Sequence, residues 1–162
     1  MVGFEPIGVI HSPYKKAEGV PIQPVFSKSV TARVEVFPQF QQGLKDLDGF
    51  SHIMLLYFFH QSDGYRLLCR PFLDNQPRGL FSTRAPRRPN PIGLSIVELI
   101  TIEDNIITIG SPDMIDGTPL LDIKPYMEKF DVKENIRSGW YEQADNRKQT
   151  TADSRFTHES KK

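Results

Sequence analysis

Short apolar segments separated by turn-forming residues run along most of the chain. Residues 30–37 alternate apolar and other side chains with a period of two, which predicts a strand with one buried face. Residues 51–60 hold an uninterrupted apolar run, which predicts a central strand buried on both faces. Six further segments have the length and the bounding residues of strands: 4–11, 66–72, 79–83, 93–100, 106–111 and 120–124. Short strands at close spacing are typical of barrels and sandwiches, so we expect a mostly β fold, a small single-domain β-barrel with short helices and a C-terminal arm.

The connections between these segments carry weaker signals. Residues 38–44 predict one or two turns of helix, with Phe40 and Leu44 on one face. The Glu-Asp-Asn sequence at 103–105 predicts a hairpin turn between two of the strands.

The C-terminal part of the chain changes character. Residues 131–140 predict a short helix or arm anchored by Ile136 and Trp140, and the residues after it are polar and poor in aliphatic side chains. We therefore expect a barrel domain over residues 1–131 and a C-terminal arm with a flexible tail over residues 132–162.

Composition limits the classes of protein that the chain can be. With 162 residues, 38% of them hydrophobic and 25% charged, it fits one globular domain with a real core. The single cysteine, Cys69, excludes an internal disulfide and a Cys-rich zinc site, which is typical of a reducing compartment. No apolar stretch is long enough to cross a bilayer, and the first residues lack the features of a signal peptide. We expect a cytoplasmic protein without membrane partners.

Positive charge is concentrated in one segment of a chain whose formal net charge is zero. Residues 66–88 hold six arginines and one acidic residue, Asp74, a local charge of +5. A neutral protein does not coat nucleic acid through a large positive field. The pattern therefore favours a site that binds a particular anionic partner.

A proline-rich loop carries three of these arginines. Arg84, Arg87 and Arg88 lie among Pro86, Pro89 and Pro91, directly between two apolar runs. Proline fixes φ and biases the preceding residue towards extended conformations, so the loop is expected to be stiff. The planar guanidinium group suits carboxylates and phosphates, which favours an anion-binding role; a solvated arginine-rich loop is the plainer alternative.

Several familiar catalytic and binding motifs are missing from the sequence. It has no glycine-rich dinucleotide fingerprint, no Walker-type lysine loop, no His-Glu-x-x-His and no Cys-x-x-Cys. The four histidines are dispersed, and His52 and His60 fit core or rim positions better than metal ligands. Ser82 and Ser95 have no nucleophile-elbow context. We expect neither a metal site nor a covalent hydrolase.

Residues 113–126 form a second informative segment. Asp116 opens an Asp-Gly-Thr-Pro tight turn, and the chain returns as a strand with Asp122 and Lys124 on one face. A carboxylate on such a strand can accept a hydrogen bond from a ribose hydroxyl or an amine, or act as a general base. We favour a turn-capping role for Asp116 but not for Asp122.

Five collinear motifs resemble the TrmO (TsaA-like) family of tRNA methyltransferases. The resemblance runs from about residue 4 to residue 131. It is carried by the sequence at residues 7–14 (IGVIHSPY), 20–24 (VPIQP), 50–61 (FSH through FHQ), 81–95 (FSTR through RPNPIGLS) and 116–126 (DGTPLLDIKPY). Five motifs in the same order are far more specific than one.

The resemblance implies a β-barrel that binds S-adenosylmethionine without a Rossmann fold and works as a homodimer. It implies methylation of the exocyclic nitrogen of N6-threonylcarbamoyladenosine, next to the anticodon at position 37 of tRNA. The missing glycine fingerprint is then expected. Carried over position by position, the cofactor site comprises Gln23, Pro24, His60, Gln61, Arg84, Leu94, Leu120, Leu121, Asp122 and Ile123.

The chemistry of the implied reaction assigns further roles. The acceptor nitrogen is a poor nucleophile, because its lone pair is delocalised into the purine and the carbamoyl group. Transfer therefore needs removal of its proton or stabilisation of its negative charge, together with in-line placement against the methyl group. Asp122 and His60 are the candidate catalytic bases. The substrate carries a threonyl carboxylate and backbone phosphates; the residues predicted to bind it or the tRNA are Arg87, Arg88, Asn90 and Lys124.

One departure from the family leaves alternatives open. Longer bacterial members carry an extra C-terminal domain, whereas this chain stops about thirty residues after the last motif. We therefore expect the arginine-rich segment and a partner subunit to provide the contacts that bind tRNA. The competing functions are a non-catalytic RNA-binding barrel, a regulator that senses S-adenosylmethionine, and methylation of another N6-modified adenosine or of a small molecule.

Overall fold

A computed structural model of the chain describes residues 2–27, 29–144 and 151–156. Within these ranges six strands close into an antiparallel barrel in the order β1-β2-β7-β6-β3-β8, and β4 and β5 form a separate two-stranded sheet. The strands are β1 Gly8–His11, β2 Thr31–Val36, β3 His52–Phe58, β4 Leu68–Cys69, β5 Arg78–Gly79, β6 Ile92–Glu103, β7 Ile106–Gly110 and β8 Thr118–Pro125. The predicted mostly β barrel is confirmed.

The helices of the described ranges are all short. The α-helix α1 spans Glu128–Asp131. The 3₁₀ helices are Pro24–Phe26, Pro38–Leu44, Leu47–Gly49, Leu80–Ser82, Gly139–Gln143 and Ser154–Phe156. None of the helices in this part of the chain is long and apolar enough to cross a membrane.

Strand β3 lies between β6 and β8, and this position sets up the functional end of the barrel. Leu56 at its centre pairs with Leu94 of β6 on one side and Asp122 of β8 on the other. Phe58 at its C-terminal end pairs with Ile92, the first residue of β6. The end of β3 and the start of β6 therefore lie together at one mouth of the barrel.

The core fills the barrel with alternate side chains of each strand. Val34, Ile53, Leu55 and Ile107 are completely buried, and their strand neighbours point outwards. Burial of each such side chain contributes about 1.5–3 kcal/mol. The period-two pattern predicted for residues 30–37 is confirmed in β2.

The prediction that the apolar run of β3 is buried on both faces is wrong. Ile53, Leu55 and Tyr57 are buried, whereas Met54 and Leu56 are only partly covered and Phe58 is exposed. The barrel has one interior, so only alternate residues of a barrel strand can enter it. In a single chain, the other apolar half of β3 remains on the outside.

Two of the other predicted strands are much shorter than expected. Of residues 66–72 only β4 pairs, and of residues 79–83 only the first residue does, before the chain turns into a 3₁₀ helix. Thr83 closes that turn, since both its amide and its hydroxyl donate to the carbonyl of Leu80, at 3.0 and 2.8 Å. This local hydrogen bonding replaces a strand ladder.

The arm after the barrel is held by one of its two predicted anchors. Trp140 donates from Nε1 to the carbonyl of Ser82 at 2.8 Å, and the guanidinium of Arg78 stacks over its ring. Ile136 is exposed and anchors nothing, which corrects that prediction. The arm thus crosses the outside of the loop that joins β5 to β6.

Candidate active site

A cleft of about 410 Å³ opens at the mouth of the barrel where β3 ends and β6 begins. Its walls come from the loop before β2, the end of β3, the proline-rich loop and the connection between β7 and β8. Mostly apolar side chains line it, with a few polar groups among them. This combination is typical of sites for small molecules and cofactors.

The cleft gathers residues that are far apart in the sequence. Gln23, His60, Gln61, Arg84 and Leu94, all of them predicted for the cofactor site, line it together. A neighbouring cleft of about 650 Å³ shares three of these side chains and is also lined by the predicted Pro24. The two clefts therefore form one continuous groove.

Arg84 joins two walls of this groove. Its Nη1 donates to Oε1 of Gln23 at 2.6 Å, and Nε2 of Gln23 donates to the carbonyl of Ile22 at 2.7 Å. The exposed guanidinium of Arg84 lies at the rim, where an anionic ligand can reach it.

The other two arginines of the loop donate hydrogen bonds to backbone carbonyls of the protein. Nε of Arg87 donates to the carbonyl of Phe156 at 3.0 Å. Nη1 of Arg88 donates to the carbonyls of Thr83 and Ala85, at 3.0 and 3.3 Å, and so braces the loop from within. Both were predicted to bind substrate; Arg88 lines the cleft, and Arg87 is outside its lining.

His60 presents a neutral imidazole to the cleft. Its Nδ1 lies 3.4 Å from the Thr118 hydroxyl, which donates its only proton to the carbonyl of Ile115 at 2.7 Å. This network favours a proton on Nδ1 and leaves Nε2 as an acceptor. Burial lowers the pKa of His60, while the charge of Asp116 acts in the opposite direction. The ring can therefore accept a proton at neutral pH.

A buried polar chain at the floor of the cleft was not predicted from the sequence. The Ser95 hydroxyl donates to Oδ1 of Asp113 at 2.6 Å, so the Tyr57 hydroxyl, 2.9 Å away, donates to Ser95. Burial raises the pKa of Asp113 to about 7, against the opposing effects of Ser95 and Arg84. Burial also raises the pKa of Tyr57, which keeps its hydroxyl neutral.

The predicted residues of β8 lie outside the lining of the cleft in a single chain. Leu120 is completely buried in the barrel core, and Ile123 packs against that core. Asp122 lies on the outer face beside Leu56, and its Oδ2 pairs with Nζ of Lys124 at 2.7 Å. Leu121 sits at the irregularity in the β3–β8 pairing and is partly buried. One chain therefore does not bring Asp122 to His60.

The carboxylate of Asp116 ties the tight turn to the segment after β1 instead of capping the turn itself, which corrects that prediction. Its Oδ1 accepts from the amide of Ser12 at 3.0 Å, and its Oδ2 pairs with Lys15 at 2.7 Å. The hydrogen bond from Lys15 is the main cause of a lowered pKa of Asp116. Gly117 follows at φ 76°, which a glycine adopts without strain.

A C-terminal segment, residues 151–156, closes one side of the cleft. The amide of Ala152 donates to the carbonyl of Val20 at 2.7 Å, and the amide of Gly19 donates to the carbonyl of Ala152 at 2.9 Å. The ring of Phe156 meets that of Phe72 edge to face at 5.1 Å. Residues 145–150 and 157–162, which also belong to the predicted flexible tail, lie outside the described residues.

The remaining predicted positions are Asn90, exposed on the proline-rich loop, and Lys124, exposed on the outer face of β8. Neither lines the cleft. Among the residues that the structure describes, no three histidine, cysteine, aspartate or glutamate side chains cluster as metal ligands would.

Comparison with known proteins identifies close relatives. The sequence profile of the tRNA-methyltransferase O N-terminal domain matches residues 9–132. A probable S-adenosyl-L-methionine-binding protein of Pyrococcus abyssi is 52% identical over 142 residues, which cover 88% of this chain and 77% of that protein. The tRNA (adenine(37)-N6)-methyltransferase of Escherichia coli is 42% identical over 134 residues, which cover 76% of this chain and 57% of that protein.

A solved structure has the same fold. The crystal structure of TrmO from Pseudomonas aeruginosa matches with a TM-score of 0.73 and 34% sequence identity, over 86% of this chain and 62% of that one. The chain thus spans less than two thirds of the length of this protein and of the Escherichia coli enzyme. The matched residues hold the barrel strands and the four connecting segments that line the cleft. The chain therefore belongs to the TrmO family.

Proposed function

We propose that this protein is an S-adenosylmethionine-dependent methyltransferase of the cytoplasm that acts as a homodimer. Its substrate is N6-threonylcarbamoyladenosine at position 37 of tRNA, methylated on the exocyclic nitrogen. The observation that carries the proposal is the single cleft that gathers Gln23, His60, Gln61, Arg84 and Leu94. Relatives named as S-adenosyl-L-methionine-binding proteins and tRNA (adenine(37)-N6)-methyltransferases support it.

The cleft suits the cofactor in size and chemistry. Its volume of about 410 Å³ falls in the range of ligand pockets. Tyr57, Phe59 and Ile92 give it apolar walls for an adenine ring, and Arg84 at the rim suits the cofactor carboxylate. When bound, S-adenosylmethionine supplies the methyl group on its sulfonium.

His60 is the candidate base within one chain. The acceptor nitrogen must lose its proton as the methyl arrives, and a neutral imidazole at the cleft can take that proton at Nε2. Burial keeps the pKa of His60 below its usual value, so the ring is unprotonated at neutral pH. Asp122 can take this role only if another chain brings it to the cleft.

The outer face of β3 and β6 supports the homodimer. Met54, Leu56, Leu94 and Ile96 form an apolar outer face that includes the mouth of the groove at Leu94. Asp122 continues the row formed by Leu94 and Leu56. A second copy packed on this face would cover the apolar surface and bring its own 120–123 segment towards the cleft of the first.

The arginine-rich segment would provide the contacts with RNA. Arg87 and Arg88 extend the positive charge of the rim towards the threonyl carboxylate and the anticodon-loop phosphates. Tyr65 and Phe81 are exposed aromatic side chains in the same region of sequence and are suited to stacking on unpaired bases. Asn90 and Lys124 are the other proposed substrate contacts.

The test is methyl transfer from labelled S-adenosylmethionine to tRNA with and without the threonylcarbamoyl group, followed by mass analysis of the nucleosides. We expect label on the threonylcarbamoyl nucleoside alone, and its loss in Arg84→Ala. Label on neither RNA, with the cofactor still bound, would contradict the enzyme and favour a sensor. Retention of tRNA without cofactor binding would favour a non-catalytic RNA-binding module.

A further inference from the structure

The carboxyl group of Asp113 lies at the floor of the cleft and has no part in the proton transfer described above. Ser95 donates to its Oδ1 at 2.6 Å, and Tyr57 donates to Ser95 in turn. Neither hydroxyl carries a charge. The polar chain therefore orients the carboxylate without neutralising it, and the carboxylate belongs to the lining of the cleft.

The charge of Asp113 is only weakly compensated by the protein. A carboxylate removed from water is costly unless a cation pairs with it. Burial raises the pKa of Asp113 to about 7, and the attraction of Arg84 is the smallest of the opposing effects. The site is thus suited to a cationic ligand group, which would supply the positive charge that the protein does not place beside the carboxylate.

The pair formed by Arg84 and Asp113 matches the head of an amino acid. The methionine part of S-adenosylmethionine carries a carboxylate and an ammonium on the same carbon. Two arginines and two aspartates line the cleft, but Arg88 donates to carbonyls of its own loop and Asp153 pairs with Arg155. Arg84 and Asp113 are therefore the pair best placed to bind such a head. The sulfonium is a poorer partner, because a carboxylate beside it would stabilise the positive charge that methyl transfer removes. The ammonium keeps its charge throughout the reaction.

We propose that Asp113 binds the α-ammonium of the cofactor while Arg84 binds its carboxylate, so that the two side chains recognise the zwitterionic head. This inference rests on the proposed function and adds a specificity-determining residue to it. Ser95 is the positioning residue that aims the carboxylate of Asp113.

Calorimetric titration with three ligands tests the proposal. S-adenosylmethionine and S-adenosylhomocysteine both carry the zwitterionic head, whereas 5′-methylthioadenosine lacks it. In Asp113→Asn we expect the affinity for the first two to fall about tenfold or more, the loss of one charge-assisted contact, and the affinity for the third to stay within twofold. Asp104→Asn removes a carboxylate from the β6–β7 turn at the other end of β6 and should change none of the three.

Other patterns of affinity loss would contradict the proposal. An equal loss for 5′-methylthioadenosine would mean that Asp113 only maintains the cleft, and a loss for S-adenosylmethionine alone would assign it to the sulfonium. Either result overturns the proposal and leaves the proposed function standing. Failure of the unmutated protein to bind S-adenosylmethionine would overturn the proposed function, and this inference with it.

A measurement on the unmutated protein covers the case in which Asp113→Asn does not fold. Protonation of the carboxyl group competes with the ammonium, so S-adenosylhomocysteine should bind about fivefold more weakly at pH 6 than at pH 7. Tyr57 and Arg84 are the charged or titratable groups that act on Asp113 directly, and His60, Arg88 and Asp153 line the same cleft. 5′-Methylthioadenosine lacks the ammonium, so the pH dependence of its affinity shows any effect of His60 protonation on binding. An equal pH dependence of the affinity for both ligands would overturn the proposal.

Discussion

Burial shifts three ionisable side chains of the cleft, His60, Asp113 and Tyr57, towards their neutral forms. The sequence identified His60 through a family motif. It did not identify Asp113, although this residue opens the segment that contains the Asp-Gly-Thr-Pro turn. The burial of Asp113 arises when β3 and β6 place Tyr57 and Ser95 beside it, which no local pattern reports.

The raised pKa of Asp113 predicts a pH-dependent stability. The folded state holds this proton up to about pH 7 and the unfolded chain releases it near 3.8, so the contribution of Asp113 to stability decreases as the pH rises between these values. The unfolding free energy of the unmutated protein relative to Asp113→Asn should therefore fall by about 2 kcal/mol from pH 5 to pH 8. Urea denaturation at the two pH values measures this, and a constant difference would contradict a desolvated carboxyl group.

The strands show where local patterns suffice and where they do not. The alternation in β2 and the Glu-Asp-Asn turn were correctly predicted, since each depends on neighbouring residues; Asp104 adopts φ 53° in that turn. Residues 66–72 are as apolar as a strand, but most of them lie outside the barrel without a continuous partner strand. The barrel gives β3 one buried face, a property of the closed sheet that the apolar run does not reveal.

The packing of β6 on β3 depends on a glycine at the cleft. A Cβ at Gly93 would lie 2.2 Å from the Tyr57 ring and 2.9 Å from that of Phe59. Gly93→Ala should therefore cost about 1–3 kcal/mol of stability and weaken cofactor binding, because the rings must move into the cleft. Gly79→Ala is the matched control, since a Cβ there meets nothing within 4 Å. Thermal unfolding and calorimetric titration measure both effects, and equal behaviour of the two variants would refute the account of this contact.

The segment 151–156 should contribute to cofactor binding through its aromatic anchor. Phe156 lines the cleft and meets Phe72 edge to face, a contact worth about 0.5–1.5 kcal/mol. Phe156→Ala should weaken S-adenosylmethionine binding about two- to tenfold with little change in the melting temperature. Phe130→Ala, at an exposed position on α1, is the control. An unchanged affinity in Phe156→Ala would mean that the segment does not shape the bound site.

At the scale of the whole molecule, the residues from the sequence motifs separate into two groups. Gln23, His60 and Arg84 meet in one cleft, because the barrel mouth brings their loops together. Asp122 lies on the outer face instead, outside the lining of the cleft of its own chain. The resemblance named both groups, but it could not say whether one chain or two would unite them.

The proposed homodimer predicts that a charged side chain on the outer face of β3 and β6 lowers the mass of the protein in solution. A single chain has a mass of 18.5 kDa, so sedimentation of the unmutated protein should give about twice that value. Met54→Arg places a charge at the centre of the apolar face and should yield the single-chain mass with reduced methyl transfer. Gln41→Arg, on the exposed 3₁₀ helix before β3, should remain a dimer. A monomeric unmutated protein with full activity would rule out the two-chain site.

The most direct test of the account is a crystal structure with S-adenosylhomocysteine bound. The account predicts the ligand in the cleft at the barrel mouth, with its adenosine between the loop of Gln23 and the end of β3 and its carboxylate at Arg84. A ligand bound at another surface, with this cleft empty, would contradict it.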